Sequence, residues 1–369
     1  MSRVAVAAGL ATGGLLTWNV GNVGAVADTL ARVYGVSLSA VGLLTTALFV
    51  THLLAQLPAG RGSDVVGART VALAAITAAV AGNLVLLASD SWGVAMVGRL
   101  IVGAGSGAGF VAGLDLVRAA GGGTLLHGLY GGATMAGGGL ALMLVPALTE
   151  WAGWRAPYWT ALVLASAATG PVLAARGLPR AGGHAAATVL RDRRLLPLGA
   201  LQAASFGLAV VAGVWVVPLL ERQGTSSSLA GLAGGTVLFA GVVTRPWGGR
   251  LARGPRRPAI VAVSVCTTVL GLLLLAAGGP LWLSAAGALL AGLAAGVPFA
   301  TIFAAAQRER PDAPGAAVAL VNGCAVLTIL VGTPLAGLAF ELPGDGRLAF
   351  AALAGLVALA LLALPRTHL

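Results

Sequence analysis

Four of the ionisable side chains inside the long apolar runs of this 369-residue chain have types that suit anion binding and proton transfer. They are Asp28, His52, Arg99 and Arg245. An ionisable group is costly to bury in an apolar phase, so each position is a candidate functional site. A guanidinium can bind an anion, whereas a carboxyl or an imidazole can pass on a proton. The chain therefore carries a small set of groups for binding or proton transfer.

Polar and aromatic side chains accompany these four groups in the apolar runs. Trp18 and Trp215 are either apolar walls for an organic substrate or anchors at a membrane interface. Asparagine and glutamine add neutral hydrogen-bond donors and acceptors. The candidate pathway for a substrate or a proton comprises Trp18, Asn19, Asn22, Asp28, His52, Gln56, Arg99, Trp215 and Arg245.

Each ionisable candidate also has a structural interpretation. Asp28 either carries a proton or lies in water at the outer end of its run. His52 either relays a proton or packs with both ring nitrogens satisfied. Arg99 either acts on proton transfer and helix packing or bonds to backbone carbonyls, and Arg245 either contacts a ligand or extends to the inner surface. The sequence alone leaves these alternatives open.

The sequence lacks the residue patterns that metal, hydrolytic and nucleotide chemistry need. Such chemistry uses clustered His, Cys, Asp or Glu, or a glycine-rich phosphate loop, and neither pattern occurs. Cys266 and Cys324 both lie in apolar runs and are expected to be packing residues. We therefore predict that the protein is not an enzyme and holds no metal and no cofactor.

Membrane-spanning helices are the elements that must position these groups. Hydrophobic residues make up 58% of the chain and charged residues only 9%, too few charges for a soluble surface. Apolar runs of about twenty residues match a hydrocarbon core about 30 Å thick at 1.5 Å per helical residue. We predict an all-α polytopic membrane protein whose twelve spans lie at 4–30, 39–58, 70–88, 93–115, 128–149, 156–176, 195–219, 229–247, 259–277, 281–305, 315–340 and 347–364.

Two of these runs have features of their own. The first could pass for a signal peptide, but it continues without a convincing small-residue cleavage site, so we expect it to be a span. In the tenth run, Gly296 and Pro298 are candidate points of flexibility.

The twelve runs form two sets of six that resemble each other. The sequence QLPAGR at 56–61 is echoed by RPWGGR at 245–250, which lies 189 residues later. We predict a six-helix bundle at 1–176, a polar cytoplasmic linker at 177–194 and a second, pseudo-symmetric bundle at 195–369. Parallel repeats of this kind hold a substrate site near the middle of the bilayer and expose it alternately to each side. The repeat therefore indicates a transporter.

The distribution of arginine predicts the orientation of the chain. Seventeen of the 22 basic residues fall on the side that holds both termini, four on the other side, and Arg99 within a span. Positive charge is retained on the cytoplasmic side, so we expect both termini there, in a cytoplasmic membrane. The net charge of +11 is spread over short loops, which argues against a nucleic-acid partner.

The segment after the second run resembles a loop of the major facilitator superfamily. The family's pattern is Gly-x-x-x-Asp-Arg-x-Gly-Arg-Arg, and Gly60, Asp64, Gly67 and Arg69 match it, while Val and Ala replace two of its arginines. The resemblance implies two six-helix bundles and a role for this loop in the cytoplasmic gate.

Other motifs both support and qualify the resemblance. Arg99 begins a segment similar to the family's fourth-helix Arg-x-x-x-Gly-x-Gly pattern. The glycine-rich segment 131–139 lacks the proline that antiporters of the family often carry in the fifth helix. Asn19 stands where many proton-driven exporters carry Asp. Arg245 is similar to the anion-clamping arginine of nitrate porters, whereas Gln56 departs from its partner in the first half.

The resemblance implies a secondary transporter that functions as a monomer in the bilayer. We expect proton-coupled uptake of a small anion or polar metabolite, by alternating access. Proton-coupled efflux of amphipathic compounds is the alternative, because the spans are apolar and rich in tryptophan. A membrane-embedded enzyme and a non-transporting sensor are remote alternatives.

Overall fold

The computed structural model describes residues 2–121, 123–177, 186–225, 227–251, 256–340, 342–367 and 369. The predicted linker at 177–194 therefore lies partly outside the described residues. Short 3₁₀ and π turns join the α-helices, and the described residues contain no strand. The helices are Arg3–Leu16 (α1), Trp18–Gly21 (α2), Ala27–Tyr34 (α3), Leu38–Gly62 (α4), Ala68–Ala88 (α5), Trp92–Ala119 (α6), Thr124–Ala152 (α7), Ala156–Ala174 (α8), Leu195–Gln202 (α9), Leu208–Arg222 (α10), Ser227–Leu251 (α11), Arg257–Ala277 (α12), Leu281–Gly296 (α13), Phe299–Glu309 (α14), Pro314–Phe340 (α15) and Arg347–Leu359 (α16).

Every predicted span coincides with helix, which confirms the all-α membrane fold. Eight stretches of the described chain are long and apolar enough to cross a membrane, and one of them, Ala40–Ala88, holds two predicted spans. Nine of the twelve predicted spans overlap these stretches, the first of them only as far as Gly21. The spans predicted at 128–149, 156–176 and 229–247 coincide with α7, α8 and α11.

Two predicted spans are interrupted in the structure. The first, predicted as continuous over 4–30, is divided into α1, α2, a 3₁₀ turn and α3. Asparagine and glycine are weak helix formers, and the side chain of Asn22 bonds to another helix instead of its own. The tenth span breaks between Gly296 and Phe299, because Pro298 has no N–H to continue the helical ladder.

The described chain forms two compact units that are discontinuous in sequence. Unit 1 comprises Met1–Gly123, Ala133–Leu190 and Arg310–Ala319, and unit 2 comprises Thr124–Gly132, Arg191–Glu309 and Leu320–Leu369. The first turns of α7 thus belong to unit 2, and those of α15 belong to unit 1. The boundaries at 176 and 195 stay a prediction about the sequence repeat.

Glycine allows the helices to approach closely where the candidate residues lie. In unit 1, α4 and α6 pack along each other, and a Cβ atom at Gly107 would lie 2.1 Å from the backbone oxygen of His52. Any larger residue at position 107 would push the helices apart. Small residues of this kind let membrane helices pack at short range, and here they fix the backbone that carries His52.

Candidate functional site

A buried polar cluster in unit 1 is centred on Arg99. The Arg99 side chain is fully buried. Its Nε donates to the Leu44 oxygen at 3.2 Å, and one terminal nitrogen donates to the Asn19 backbone oxygen at 2.9 Å and to Asn22 Oδ1 at 3.4 Å. Among the described residues these partners are all neutral oxygens. The guanidinium therefore ties α6 to α4 and to the broken first span. Arg99 thus both packs helices together and bonds to backbone carbonyls, two of the roles considered for it.

The cluster extends to α5 through a residue that the sequence analysis missed. Asn83 Nδ2 donates to Asn19 Oδ1 at 3.0 Å and to the Ala79 oxygen at 2.8 Å. Both asparagines are fully buried. A lone amide in the apolar run 70–88 was the available signal, since polar groups inside spans are expensive.

Side chains of the first span also bond to α8. Trp18 Nε1 donates to Thr160 Oγ1 at 3.1 Å, and Asn22 Nδ2 donates to the Pro157 oxygen at 2.9 Å. The Trp18 ring is buried in the core of unit 1. Asp28 lies in α3, and its side chain is outside the described part of the structure. The broken span is thus held in place by polar contacts to α5, α6 and α8.

His52 lies apart from this cluster, between α4 and α6. Its Nδ1 is 3.1 Å from Ser106 Oγ, and the rings of Phe49 and Phe110 lie 5.9 and 6.4 Å from the imidazole, centre to centre. Gln56 is buried one helical turn further along α4. The apolar rings restrict His52 to a small number of polar contacts. Such surroundings suit both a proton relay and a packing residue.

The predicted gate loop is compact and connects α4 to α5. Residues 63–67 form a π turn, and Gly67 has φ = +96°, a backbone conformation that side chains with a Cβ rarely adopt. Arg69 donates from Nε and from a terminal nitrogen to the Val172 and Leu173 oxygens, each at 3.1 Å. These carbonyls lie in the last turn of α8, where a cation is favourable.

Asp64 bonds to the first turn of α15 within unit 1. The carboxylate is buried and accepts from the Gly315 amide at 3.0 Å and from the Ala316 amide at 3.1 Å. An anion at a helix N-terminus satisfies free N–H groups and is stabilised by the helix dipole. Gly60 supports this approach, because a Cβ atom there would lie 2.5 Å from the Gly315 oxygen. The four motif residues therefore build one structure, with Asp64 as its anchor.

Unit 2 contains the second buried guanidinium, Arg245 on α11. Only 4% of its surface is exposed, so the side chain does not extend to the surface of the protein. It donates to the Gly131 oxygen at 3.1 Å. The guanidinium carbon lies 4.2 Å from the ring centre of Phe299 and 5.0 Å from that of Phe206. Such distances are typical of cation–π contact.

Two glycines of α7 make room for this arrangement. A Cβ atom at Gly128 would lie 2.2 Å from the Arg245 oxygen, and one at Gly131 would lie 2.4 Å from the Phe299 ring. Tyr130 is fully buried on the same segment. Sequence analysis missed the aromatic residues because they lie on other helices.

Two further features of unit 2 are buried polar contacts. Trp215 donates to the Thr333 oxygen at 3.0 Å and packs against Phe340, so its indole bridges α10 and α15. His127 Nε2 lies 2.8 Å from Gln307 Oε1, and both side chains are buried. The sequence analysis placed only His52 inside a span and missed this pair.

The fold and these polar sites define a class of protein. Helices that are mostly apolar, with buried guanidinium, imidazole and amide groups, are typical of an integral membrane transporter. The sequence profile of the Major Facilitator Superfamily matches residues 9–311. The chain belongs to this superfamily.

Comparison with solved structures shows the same fold. The human organic anion transporter MFSD10 (TETRAN) superposes with a TM-score of 0.78, over 99% of this chain and 100% of that one, at 20% sequence identity. No curated protein matches the sequence. The comparisons identify a transporter of the superfamily.

Proposed function

We propose that this protein takes up a small organic anion across the cytoplasmic membrane, by alternating access and together with a proton. The observation that carries the proposal is the environment of Arg245, a buried guanidinium beside two aromatic rings. MFSD10, which shares the fold, is itself an organic anion transporter, and this agrees with the proposal.

The chemistry of this environment favours an organic monoanion over an inorganic one. A guanidinium supplies charge and directed donors for a carboxylate. The rings of Phe206 and Phe299 make the surroundings of the guanidinium apolar, which suits the body of an organic anion. Gln56, which is neutral, aligns with Arg245 in the sequence repeat. The two aligned positions therefore supply one positive charge, which suits an anion with one negative charge.

Proton coupling follows from the energetics of anion uptake. A membrane potential that is negative inside opposes entry of a monoanion by about 2.3 kcal/mol per 100 mV. One proton carried with the anion removes the net charge movement and also lets a pH gradient drive uptake. Asp28 and His52 are the candidate carriers of that proton.

The test is flux into proteoliposomes of benzoate, acetate, nitrate and tetraphenylphosphonium under an imposed pH gradient. Neutral benzoic acid diffuses through lipid, so uptake is counted in excess of that of protein-free liposomes. We expect such excess accumulation of benzoate, and a loss of about ten- to a hundredfold in Arg245→Gln, the range for a lost charge-assisted bond. Arg250→Gln is the matched control, since Arg250 is exposed on the same helix. Its benzoate flux should stay within about twofold of the wild type.

Further variants separate coupling from binding. In Asp28→Asn or His52→Gln, loss of the pH response with preserved benzoate exchange would identify the proton carrier. Benzoate flux that is equal in the wild type and Arg245→Gln would contradict the anion proposal. Export of tetraphenylphosphonium that survives Arg245→Gln but fails in Asp28→Asn would favour efflux of amphipathic compounds.

A further inference from the structure

A groove of about 640 Å³ opens between α11 and α12 in unit 2, and Arg245 is not among the residues that line it. In the described residues, both helices pack along α13 and scarcely contact each other, so α13 forms the floor. Val263 and Leu293 line the groove and are substantially exposed. We call it the α11–α12 groove. Exposed apolar walls in a membrane protein are suited to hydrocarbon.

The hydroxyl groups in the α11–α12 groove have no proton to offer a ligand. Thr244 and Thr267 each donate to the backbone oxygen four residues earlier, and Ser264 donates to the Ala294 oxygen. A hydroxyl has one proton, and in all three it is already used. The walls therefore favour an apolar occupant over a polar solute.

The charge in the groove lies at one end. Arg256 lines the groove and is exposed, directly before the first residue of α12, which is Arg257. The positive end of the α12 dipole lies at the same place. An occupant that complements the groove must therefore have an anionic group at one end and an apolar body along the rest.

The length of the groove matches one leaflet of a bilayer. Its lining follows α12 from Arg256, directly before the helix, to Thr267, eleven residues further along the chain. At 1.5 Å per residue this is about 16 Å, whereas half of the hydrocarbon core is about 15 Å. In the predicted orientation Arg256 lies on the cytoplasmic side, where anionic lipids attract arginine.

We propose that the α11–α12 groove binds an anionic phospholipid. Its phosphate lies at Arg256 and the start of α12, and one acyl chain runs along the groove toward the middle of the bilayer. The proposal is independent of the transported substrate, because it involves neither Arg245 nor the polar cluster of unit 1.

Native mass spectrometry of the purified full chain tests the proposal. Phosphatidylglycerol and phosphatidylcholine with identical acyl chains are titrated separately. We expect about fivefold tighter binding of phosphatidylglycerol, as for one arginine near an anionic surface. Arg256→Gln should remove this preference, and Val263→Trp should weaken binding of both lipids by filling the groove. The controls are Arg250→Gln and Leu270→Trp, at exposed positions outside the groove on α11 and α12.

Each other outcome would overturn the proposal. Equal binding of the two lipids to the wild type would remove the role of the charge. Unchanged binding in Val263→Trp, or displacement of phosphatidylglycerol by millimolar glycerol phosphate, would show that the acyl chain does not use the groove. Equal losses in the control variants would show that binding is not localised there.

Discussion

Arg99 and Arg245 are both buried guanidiniums inside predicted spans, yet the two units surround them differently. In unit 1, Arg99 is held by oxygen atoms of Leu44, Asn19 and Asn22. In unit 2, Arg245 bonds to the Gly131 oxygen and lies against two phenylalanine rings. The first arginine joins helices through the backbone, whereas the second lies beside rings that supply no oxygen acceptor.

This difference separates a structural role from a binding role. Two of the three Arg99 guanidinium nitrogens are held by fixed oxygens, and the third has no hydrogen-bond partner among the described residues; exchanging the fixed oxygens for a ligand would cost their hydrogen bonds. Aromatic faces stabilise a guanidinium and also make its surroundings apolar, which suits the body of an organic anion. We therefore assign Arg99 to the stability of unit 1 and Arg245 to the proposed anion site.

The largest expected effect is the loss of stability in Arg99→Met. Removing the guanidinium leaves buried oxygens of three residues without this donor, and we expect the free energy of unfolding to fall by about 3 kcal/mol. Arg245→Met should cost about 1 kcal/mol, because methionine keeps much of the packing against both rings. Chemical unfolding in detergent measures both variants. An Arg245→Met loss that equals or exceeds the Arg99→Met loss would break the comparison.

The next largest effect is expected for Gly67→Ala. This variant tests the turn that supports Asp64, a second charged residue of unit 1 that bonds to backbone groups. Gly67 has φ = +96°, and a Cβ atom there would impose strain of about 2 kcal/mol. Gly42→Ala is the matched control, since Gly42 lies in α4 with no atom near its added methyl group. The control should gain up to about 1 kcal/mol from helix propensity. Equal free energies of unfolding in Gly67→Ala and Gly42→Ala would contradict the assigned role of the turn.

The Asp64→Asn variant tests the bond between that carboxylate and α15. The carboxylate accepts from two amides at the helix N-terminus, whereas an amide side chain has one oxygen and no charge. We expect a loss of about 1.5 kcal/mol in the free energy of unfolding. Asp90→Asn, at an exposed position of unit 1, should stay within about 0.5 kcal/mol of the wild type. A loss of similar size in both variants would show that the bond from Asp64 to α15 contributes no more to stability than an exposed carboxylate.

The arrangement of spans could be predicted from the sequence, because charges interrupt the apolar runs at the spacing a bilayer requires. The breaks within the first and tenth spans were harder to predict. Pro298 predicts the break in the tenth span, because proline has no N–H to continue the helical hydrogen bonds. The break in the first span depends instead on bonds from Asn22 to α8 and from Asn83 to Asn19, and hydropathy does not record such partners.

The candidate site could be predicted only in part, for the same physical reason. A buried ionisable group is visible in the sequence because its cost is local, so both arginines were found. Their partners come from distant parts of the chain, and the rings beside Arg245 look like ordinary apolar residues. The motif residues from Gly60 to Arg69 were predictable as a set, but the binding of Asp64 to the α15 N-terminus requires the tertiary structure.

The smallest expected effect concerns a third guanidinium, Arg310, which lies in a loop. It donates to both carboxylate oxygens of Asp312, at 3.0 and 2.8 Å, and this bond lowers the pKa of Asp312 below its usual value. A lowered pKa means that the pair stabilises the fold above about pH 4, the ordinary pKa of aspartate, and that this contribution is lost as the pH falls through the lower folded value.

The exposure of this pair limits the effect. The Asp312 side chain is 46% exposed, so water and salt screen the pair and we expect less than about 0.5 kcal/mol. The measurement is unfolding of the wild type and Asp312→Asn at pH 6 and pH 3. The wild type should be slightly more stable than Asp312→Asn at pH 6, and the difference should be smaller at pH 3. A difference as large as that of Arg99→Met would mean that the exposure of the carboxylate partner does not limit what this pair contributes.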